Sequence, residues 1–160
     1  SGLELKSTEM TIDKKKLKVQ LWDTAGQEKY KAITKSLFNK VQGVMVMFDI
    51  TNEDSFISLK NWVKMIKEEC GEHMTVIIVG NKNDLEEERL VSKKEVQEYA
   101  KSLHYDYIET SSKTGENVKK AVYLLCRKII NNSNLKKDGS FSINSASSNK
   151  KHRRKCCDNI

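Results

Sequence analysis

Trp22-Asp23-Thr24-Ala25-Gly26-Gln27-Glu28 follows directly on the apolar stretch Leu17-Lys18-Val19-Gln20-Leu21. This order puts a carboxylate at the end of a predicted buried strand, then a small flexible turn, then a glutamine. Asp23 can hold a metal ion, the Gly26 N–H can meet a phosphate oxygen, and Gln27 can orient an attacking water. Those are three of the parts that phosphoryl transfer to water uses. Taken singly, Asp23 is also an ordinary turn former, so the stretch has to be weighed with its surroundings.

Upstream, Leu3–Ile12 and Leu17–Trp22 read as two strands around an Asp13-Lys14-Lys15-Lys16 turn, an antiparallel hairpin. Met10 and Ile12 alternate with polar neighbours, as in a half-buried edge strand. Downstream, Gly43–Ile50 and Thr75–Gly80 are nearly continuous apolar runs, which predicts strands covered on both faces. A shorter strand is predicted over Asp106–Glu109. Helical spacing appears in Phe56, Leu59, Trp62, Val63 and Ile66. It recurs in Val96, Tyr99, Ala100 and Leu103 behind a Ser92-x-x-Glu95 capping box. The clearest stripe is Val118, Ala121, Val122, Leu125, Cys126 and Ile129, the last predicted helix. Each stripe reads as a core-facing surface. Strands alternating with helices predict an α/β fold with a largely parallel sheet. After Ile130 the pattern stops, and the Asn-, Ser- and Lys-rich residues 132 to 149 are expected to be disordered.

The 160 residues and 38% hydrophobic content suit one α/β domain. No apolar run approaches the roughly 18 residues needed to span a bilayer. The four cysteines show neither a disulfide framework nor metal-ligand spacing, and a reducing, cytosolic compartment is expected. The net charge of +7 is uneven: from Asn132 onward seven Lys or Arg face two Asp, leaving 22 basic and 20 acidic residues before it. A nearly neutral folded part argues against a nucleic-acid-binding domain.

In an open α/β sheet, ligands bind beyond the carboxyl ends of the strands. Three such ends here carry polar sequences: Asp23–Gln27, Asn81-Lys82-Asn83-Asp84 and Thr110-Ser111-Ser112-Lys113. Each alone has a plain loop explanation, but their joint order does not. Together they resemble the nucleotide-binding segments of Ras-like small GTPases: the WDTAGQE segment, the N-K-x-D segment, and the E-T-S-A-K segment with Ser112 in place of alanine. Lys18-Val19-Gln20-Leu21-Trp22, Lys29-Tyr30-Lys31-Ala32-Ile33-Thr34 and Met47-Phe48-Asp49-Ile50-Thr51 further resemble segments that set the Rab branch apart. The resemblance covers about Gly2 to Ile130, plus the end of the tail.

That resemblance implies a three-layer P-loop NTPase (Ras-like) fold with a mostly parallel sheet. It implies GTP or GDP as ligand and Mg2+ as cofactor, with Gln27 positioning the hydrolytic water. Asp23, Thr24, Ala25 and Gly26 would lie at the phosphates and metal, Asp23 meeting Mg2+ indirectly. Asp84 would accept from guanine N1–H and the exocyclic amine, a pattern adenine cannot satisfy. Asn81 would brace the base edge and neighbouring loops. The Lys82 stem would lie over the base, Ser111 and Ser112 would supply the loop whose N–H meets guanine O6, and Lys113 would cover the other face. Leu5 and Leu37 stand where the branch has effector-facing aromatic residues, which leaves effector identity open. Expected partners are effectors, an exchange factor, a GTPase-activating protein, the prenylation machinery and a GDP-dissociation inhibitor, in a cycle regulating vesicle-mediated transport.

Cys156-Cys157-Asp158-Asn159-Ile160 resembles the paired-cysteine ending of Rabs that receive two geranylgeranyl groups. A single prenyl on Cys157 is the weaker alternative, because Asp158 and Asn159 are not aliphatic. The run Lys150-Lys151-His152-Arg153-Arg154-Lys155 reads either as a nuclear localisation signal or as attraction to an anionic membrane surface. Beside two cysteines the membrane reading is preferred, placing the protein on the cytoplasmic face of intracellular membranes and in the cytosol.

No G-x-x-x-x-G-K-[ST] occurs in the chain, and none of its seven glycines opens such a run. The family's first strand, phosphate loop and first helix are therefore expected to be lacking. Residues 1 to 131 read as a partial Rab-like domain and 132 to 160 as a hypervariable tail. The chain starts at Ser1, and the expectation is a fragment that, expressed alone, neither folds stably nor binds GTP. The alternative is a non-catalytic, membrane-anchored interaction module that has lost its phosphate loop.

Overall fold

The structure is a computed structural model that describes residues 4–23 and 37–135. The chain divides into two compact units, Ser1–Val41 and Gln42–Ile160. In the first, β1 (Glu4–Ile12) and β2 (Lys15–Asp23) form an antiparallel two-stranded sheet, with Thr8 opposite Val19 and Met10 opposite Leu17. Leu17, Val19 and Leu21 are half-buried while Lys16, Lys18 and Gln20 are exposed, the alternation of a one-sided sheet. The turn is only Asp13-Lys14, with φ of 47° and 66°. Two left-handed residues match the twist of the flanking strands and close a hairpin without further length. Lys15 and Lys16, expected in the turn, are therefore strand residues. Leu37, expected to face partners, is buried, and Leu5 is exposed.

The second unit contains the expected parallel sheet, in the order β3 (Gly43–Asp49), β4 (Thr75–Asn81), β5 (Asp106–Glu109). Helices α1 (Glu53–Cys70), α2 (Lys93–Ser102) and α3 (Val118–Leu135) alternate with the strands. β4 buries six residues in succession, as a strand covered on both faces must. Under α3, Ile77 and Val79 pack with Ala121 and Leu125, joined by Met45, Ile108 and Ile129. A Cβ on Gly43 would lie 2.8 Å from Ile129 Cδ1 and 2.9 Å from Leu125 Cδ1, so a larger residue there would make these side chains of α3 shift. On the opposite face Phe48 meets Phe56 with ring centroids 5.1 Å apart, and Phe56 meets Tyr99 edge-on at 5.9 Å.

Three expectations change. β3 is not covered on both faces, because Met47 is 49% exposed; α3 centres on β4 and leaves this end of the outer strand open. The Ser92-x-x-Glu95 capping box does not close. Ser92 sits at the helix start without a side-chain cap, and Glu95 lies 3.4 Å from Lys60 Nζ instead. The working cap is Asn52, whose side chain accepts from the Ser55 N–H at 3.1 Å at the start of α1. Finally, α3 continues past Ile130 to Leu135. Asn132 donates from Nδ2 to the hydroxyl of buried Thr75 at 3.1 Å, a docking contact that periodicity of apolar residues does not register.

Candidate functional site

The carboxyl ends of β3, β4 and β5 are tied together by backbone before any side chain is considered. Asp49 stands opposite Asn81 and Gly80 opposite Glu109. Beyond the strands, the Ile50 N–H donates to Asn81 O at 3.1 Å, Asn83 N–H to Thr110 O at 3.0 Å, and Thr110 N–H to Gly80 O at 2.8 Å. The loops at residues 81–84 and 110–113 are thus one hydrogen-bonded edge.

Side chains then fix the loops to each other. Asn81 Oδ1 accepts from the Ser112 N–H at 3.0 Å, the Ser112 hydroxyl at 3.1 Å and the Thr110 hydroxyl at 3.4 Å. Asp84 Oδ1 accepts from the Ser111 hydroxyl at 2.5 Å, and Ser111 Oγ in turn accepts the Thr114 N–H at 3.0 Å. Ser111 is fully buried and Thr110 nearly so, so these hydroxyls act as fixed struts. Asp84 itself is exposed. Its Oδ2 has no hydrogen-bond partner among the described residues.

Lys82 takes a left-handed backbone, φ 67° and ψ 36°, uncommon for a residue with a side chain. Its Nζ lies 2.6 Å from Asp49 Oδ2. The other carboxylate oxygen of Asp49 accepts from the Thr51 N–H at 2.9 Å and the Thr51 hydroxyl at 2.7 Å. Burial pushes the Asp49 carboxyl up, but the hydrogen bonds from Lys82 and Thr51 outweigh it and hold the group below its ordinary value. The same bond raises the Lys82 ammonium above its ordinary value.

A second polar cluster underlies the edge, and sequence reasoning missed it. Glu109 receives Arg89 NH1 at 3.0 Å and the Tyr107 hydroxyl at 2.6 Å, with Lys93 Nζ 3.4 Å away. Arg89 also pairs with Glu86 at 2.6 Å, and Asn117 Nδ2 donates to Glu109 O at 3.0 Å. Burial and the Glu109 hydrogen bond raise the Tyr107 phenol well above its ordinary value. The available signal was Glu109 itself, an acid directly before the Thr110-Ser111 pair at a strand end, where a partly buried charge needs a partner.

Of the expected site residues, the structure brings together Asn81, Lys82, Asp84, Ser111 and Ser112, with Lys113 exposed beside them. Asp23 ends β2 and is exposed. Thr24, Ala25, Gly26, Gln27, Cys156 and Cys157 lie outside the described residues. Between the loops at residues 81–84 and 110–113, the Ser112 N–H donates to Asn81 Oδ1. Among the described residues no group of three His, Cys, Asp or Glu could hold a metal ion.

The Ras family profile matches residues 1–131. The chain belongs to the Ras family. Its relatives are Rab proteins. Human Ras-related protein Rab-8B is 38% identical over 141 residues, covering 88% of this chain and 68% of the relative. Rab-8 of Diplobatis ommata is 39% identical over 135 residues, covering 84% and 64%. Rab-13 of Mesocricetus auratus is 36% identical over 159 residues, covering 97% and 78%. The chain is accordingly a Rab-type small GTPase.

Proposed function

We propose that the loops at residues 81–84 and 110–113 bind the guanine base of GTP and GDP. Asp84 accepts from the base N1–H and amine, Asn81 holds the two loops in register, and the Lys82 and Lys113 stems flank the ring. The observation that carries this reading is exposed Asp84, one of whose carboxylate oxygens is fixed by buried Ser111 while the other has no hydrogen-bond partner among the described residues. Preorganised acceptors of this kind discriminate strongly against a base lacking the matching donors. In the switch cycle of the whole protein, Gln27 orients the attacking water, and Thr24, Ala25 and Gly26 border the phosphates. Asp23 contributes to Mg2+ from a distance. A single carboxylate is not a Mg2+ site, and the family's hydroxyl ligands and phosphate-loop lysine have no counterpart in this sequence.

The experiment is ligand-observed NMR with the full chain and the nucleosides guanosine and adenosine, followed by GTP. Guanosine binds in preference to adenosine, and GTP binds no more tightly than guanosine, because the sequence holds no phosphate cradle. Asp84→Asn puts a donor where the guanine amine points and reverses the preference toward xanthosine. Equal binding of guanosine and adenosine would sink the base site.

For the tail, we propose prenylation of Cys156 and Cys157, with residues 150–155 attracted to an anionic cytoplasmic leaflet at about 1 kcal/mol per basic residue. Two anchoring signals give stable attachment where one is marginal. Through effectors, an exchange factor, a GTPase-activating protein and a GDP-dissociation inhibitor, the switch then regulates vesicle traffic. No helix among the described residues is long and apolar enough to cross a membrane. Mass spectrometry after incubation with a prenyltransferase should show two added lipids, one in each single Cys→Ser variant, and none in the double variant.

A further inference from the structure

Met47-Phe48-Asp49-Ile50-Thr51 was set apart in the sequence, yet nothing in the base-reading or hydrolytic roles uses its carboxylate. We propose that Asp49 is a positioning residue for nucleotide binding: it latches the Lys82 ammonium to the end of β3 and so fixes the lysine stem that flanks the base. The inference rests on the guanine reading of the loops and adds to it a residue from a strand that does not touch the base.

The geometry is that of a held anchor, not a chance surface pair. Asp49 stands opposite Asn81 in the sheet register, so it sits beside the start of the Asn81–Asp84 loop. Its backbone N–H donates to Ser55 Oγ at 2.9 Å, and Ser55 Oγ donates back to Asp49 O at 3.1 Å. One carboxylate oxygen is occupied twice by Thr51. The other is left to Lys82 Nζ at 2.6 Å. Both the strand end and the first turn of α1 therefore immobilise the carboxylate, and the carboxylate immobilises the lysine.

Lysine is a flexible four-carbon stem with large rotamer entropy. Unlatched, that stem samples many directions, and a ligand must order it on binding. Latched, the ordering is done in the fold, which is how preorganisation strengthens binding without a new contact. Lys82 feels two further carboxylates, Glu88 and Asp84. The Asp49 contact thus also holds the ammonium on the β3 side of the loop, keeping it from settling on the carboxylate that reads the base.

The test is a double-mutant cycle on guanosine affinity in the full chain, read by ligand-observed NMR, with adenosine as control. Asp49→Asn weakens guanosine about fivefold, the scale of a partly exposed ion pair. Lys82→Met weakens it by a similar factor. The double variant is no weaker than either single one, because the two residues act as one unit. Singles that multiply would show that Asp49 acts through Thr51 or the helix start and would overturn the latch. So would unchanged guanosine affinity in Asp49→Asn. Should that variant lose stability, Lys82→Met, on an exposed side chain, decides alone: unchanged affinity there overturns the latch equally. If the unsubstituted chain does not prefer guanosine over adenosine, the guanine reading has failed and the latch falls with it.

Discussion

The hairpin at residues 4–23 and the α/β unit that begins at Gln42 are both built from well-paired strands, yet they bury their side chains differently. β1 and β2 pair over nine residues each, and along β2 no residue is better than half-buried. β4 is two residues shorter and buries six in a row. Hydrogen-bond pairing alone gives a two-stranded ribbon only marginal stability, whereas β4 also removes both faces from water. The difference teaches where this unit keeps its stability: in the central strand whose carboxyl end leads into the Asn81–Asp84 loop.

The largest effect that could break this comparison comes from truncating one aliphatic side chain to alanine in each unit. Ile78→Ala, at a fully buried position, should cost about 2–5 kcal/mol. Val19→Ala, on the half-buried face of β2, should cost about 1 kcal/mol or less. Urea unfolding followed by circular dichroism measures both, and comparable costs would show that the hairpin is as deeply supported as β4.

A smaller effect sharpens the account of how the buried unit tolerates polar groups. A Cβ on Gly80 would lie 2.8 Å from the Tyr107 hydroxyl, with Ile50 Cγ2 at 3.1 Å and a Phe48 ring atom at 3.2 Å. Gly80→Ala should cost about 1–3 kcal/mol by overpacking. Removing the hydroxyl with Tyr107→Phe relieves the closest contact, so Gly80→Ala should cost less in that background. If it costs the same, the phenol is not the obstacle, and the small residue in β4 serves some other purpose.

Much of this was legible in the sequence because it follows from period and strand-end chemistry. The β4 run, the Asp106–Glu109 strand, the three helical stripes apart from exposed Val118 at the start of α3, and the strand-end loop at Asn81–Asp84 needed no long-range information. What was not legible depends on partners distant in the chain. Glu95 looked like half of a capping box but is 35 residues from Lys60, the cation it meets. Asn132 looked like tail composition until Thr75 was placed beside it. Asp49 was visible as a family mark, but its pairing with Lys82 depends on the parallel register. Thr24–Gln27, the clearest signal in the sequence, lies outside the described residues.

Acid should act on the α/β unit through Glu109. Burial pushes this carboxyl up, but hydrogen bonds from Arg89 and Tyr107 outweigh it and hold it below the ordinary 4.5. A carboxyl depressed in the folded state contributes stability that is fully present above the unfolded value and lost as pH falls through the folded one. Urea midpoints should therefore hold steady above the ordinary carboxyl value and decline as pH falls below it, through the depressed folded value. Glu109→Gln lowers the neutral-pH midpoint and flattens the acid-side decline, and an unchanged slope in that variant would assign the loss to other carboxylates.

The smallest effect probes the hairpin itself. Asp13 and Lys14 both hold positive φ, which costs a residue with a Cβ roughly 1 kcal/mol but a glycine almost nothing. Lys14→Gly creates the Asp-Gly turn that this geometry favours. Two terms oppose: relief of the left-handed strain, and the greater freedom glycine gives the unfolded chain. The first is larger at a position already fixed in the left-handed region, so the net gain should be a few tenths to about 1 kcal/mol. Amide exchange across β1 and β2 reads it directly, since opening free energies there are local. Slower exchange at the paired amides of Thr8 and Val19 is the expected outcome. No slowing would mean that the turn does not limit the hairpin, and that what holds Glu4–Asp23 together is the buried side of the ribbon, above all Ile12, which is fully removed from solvent.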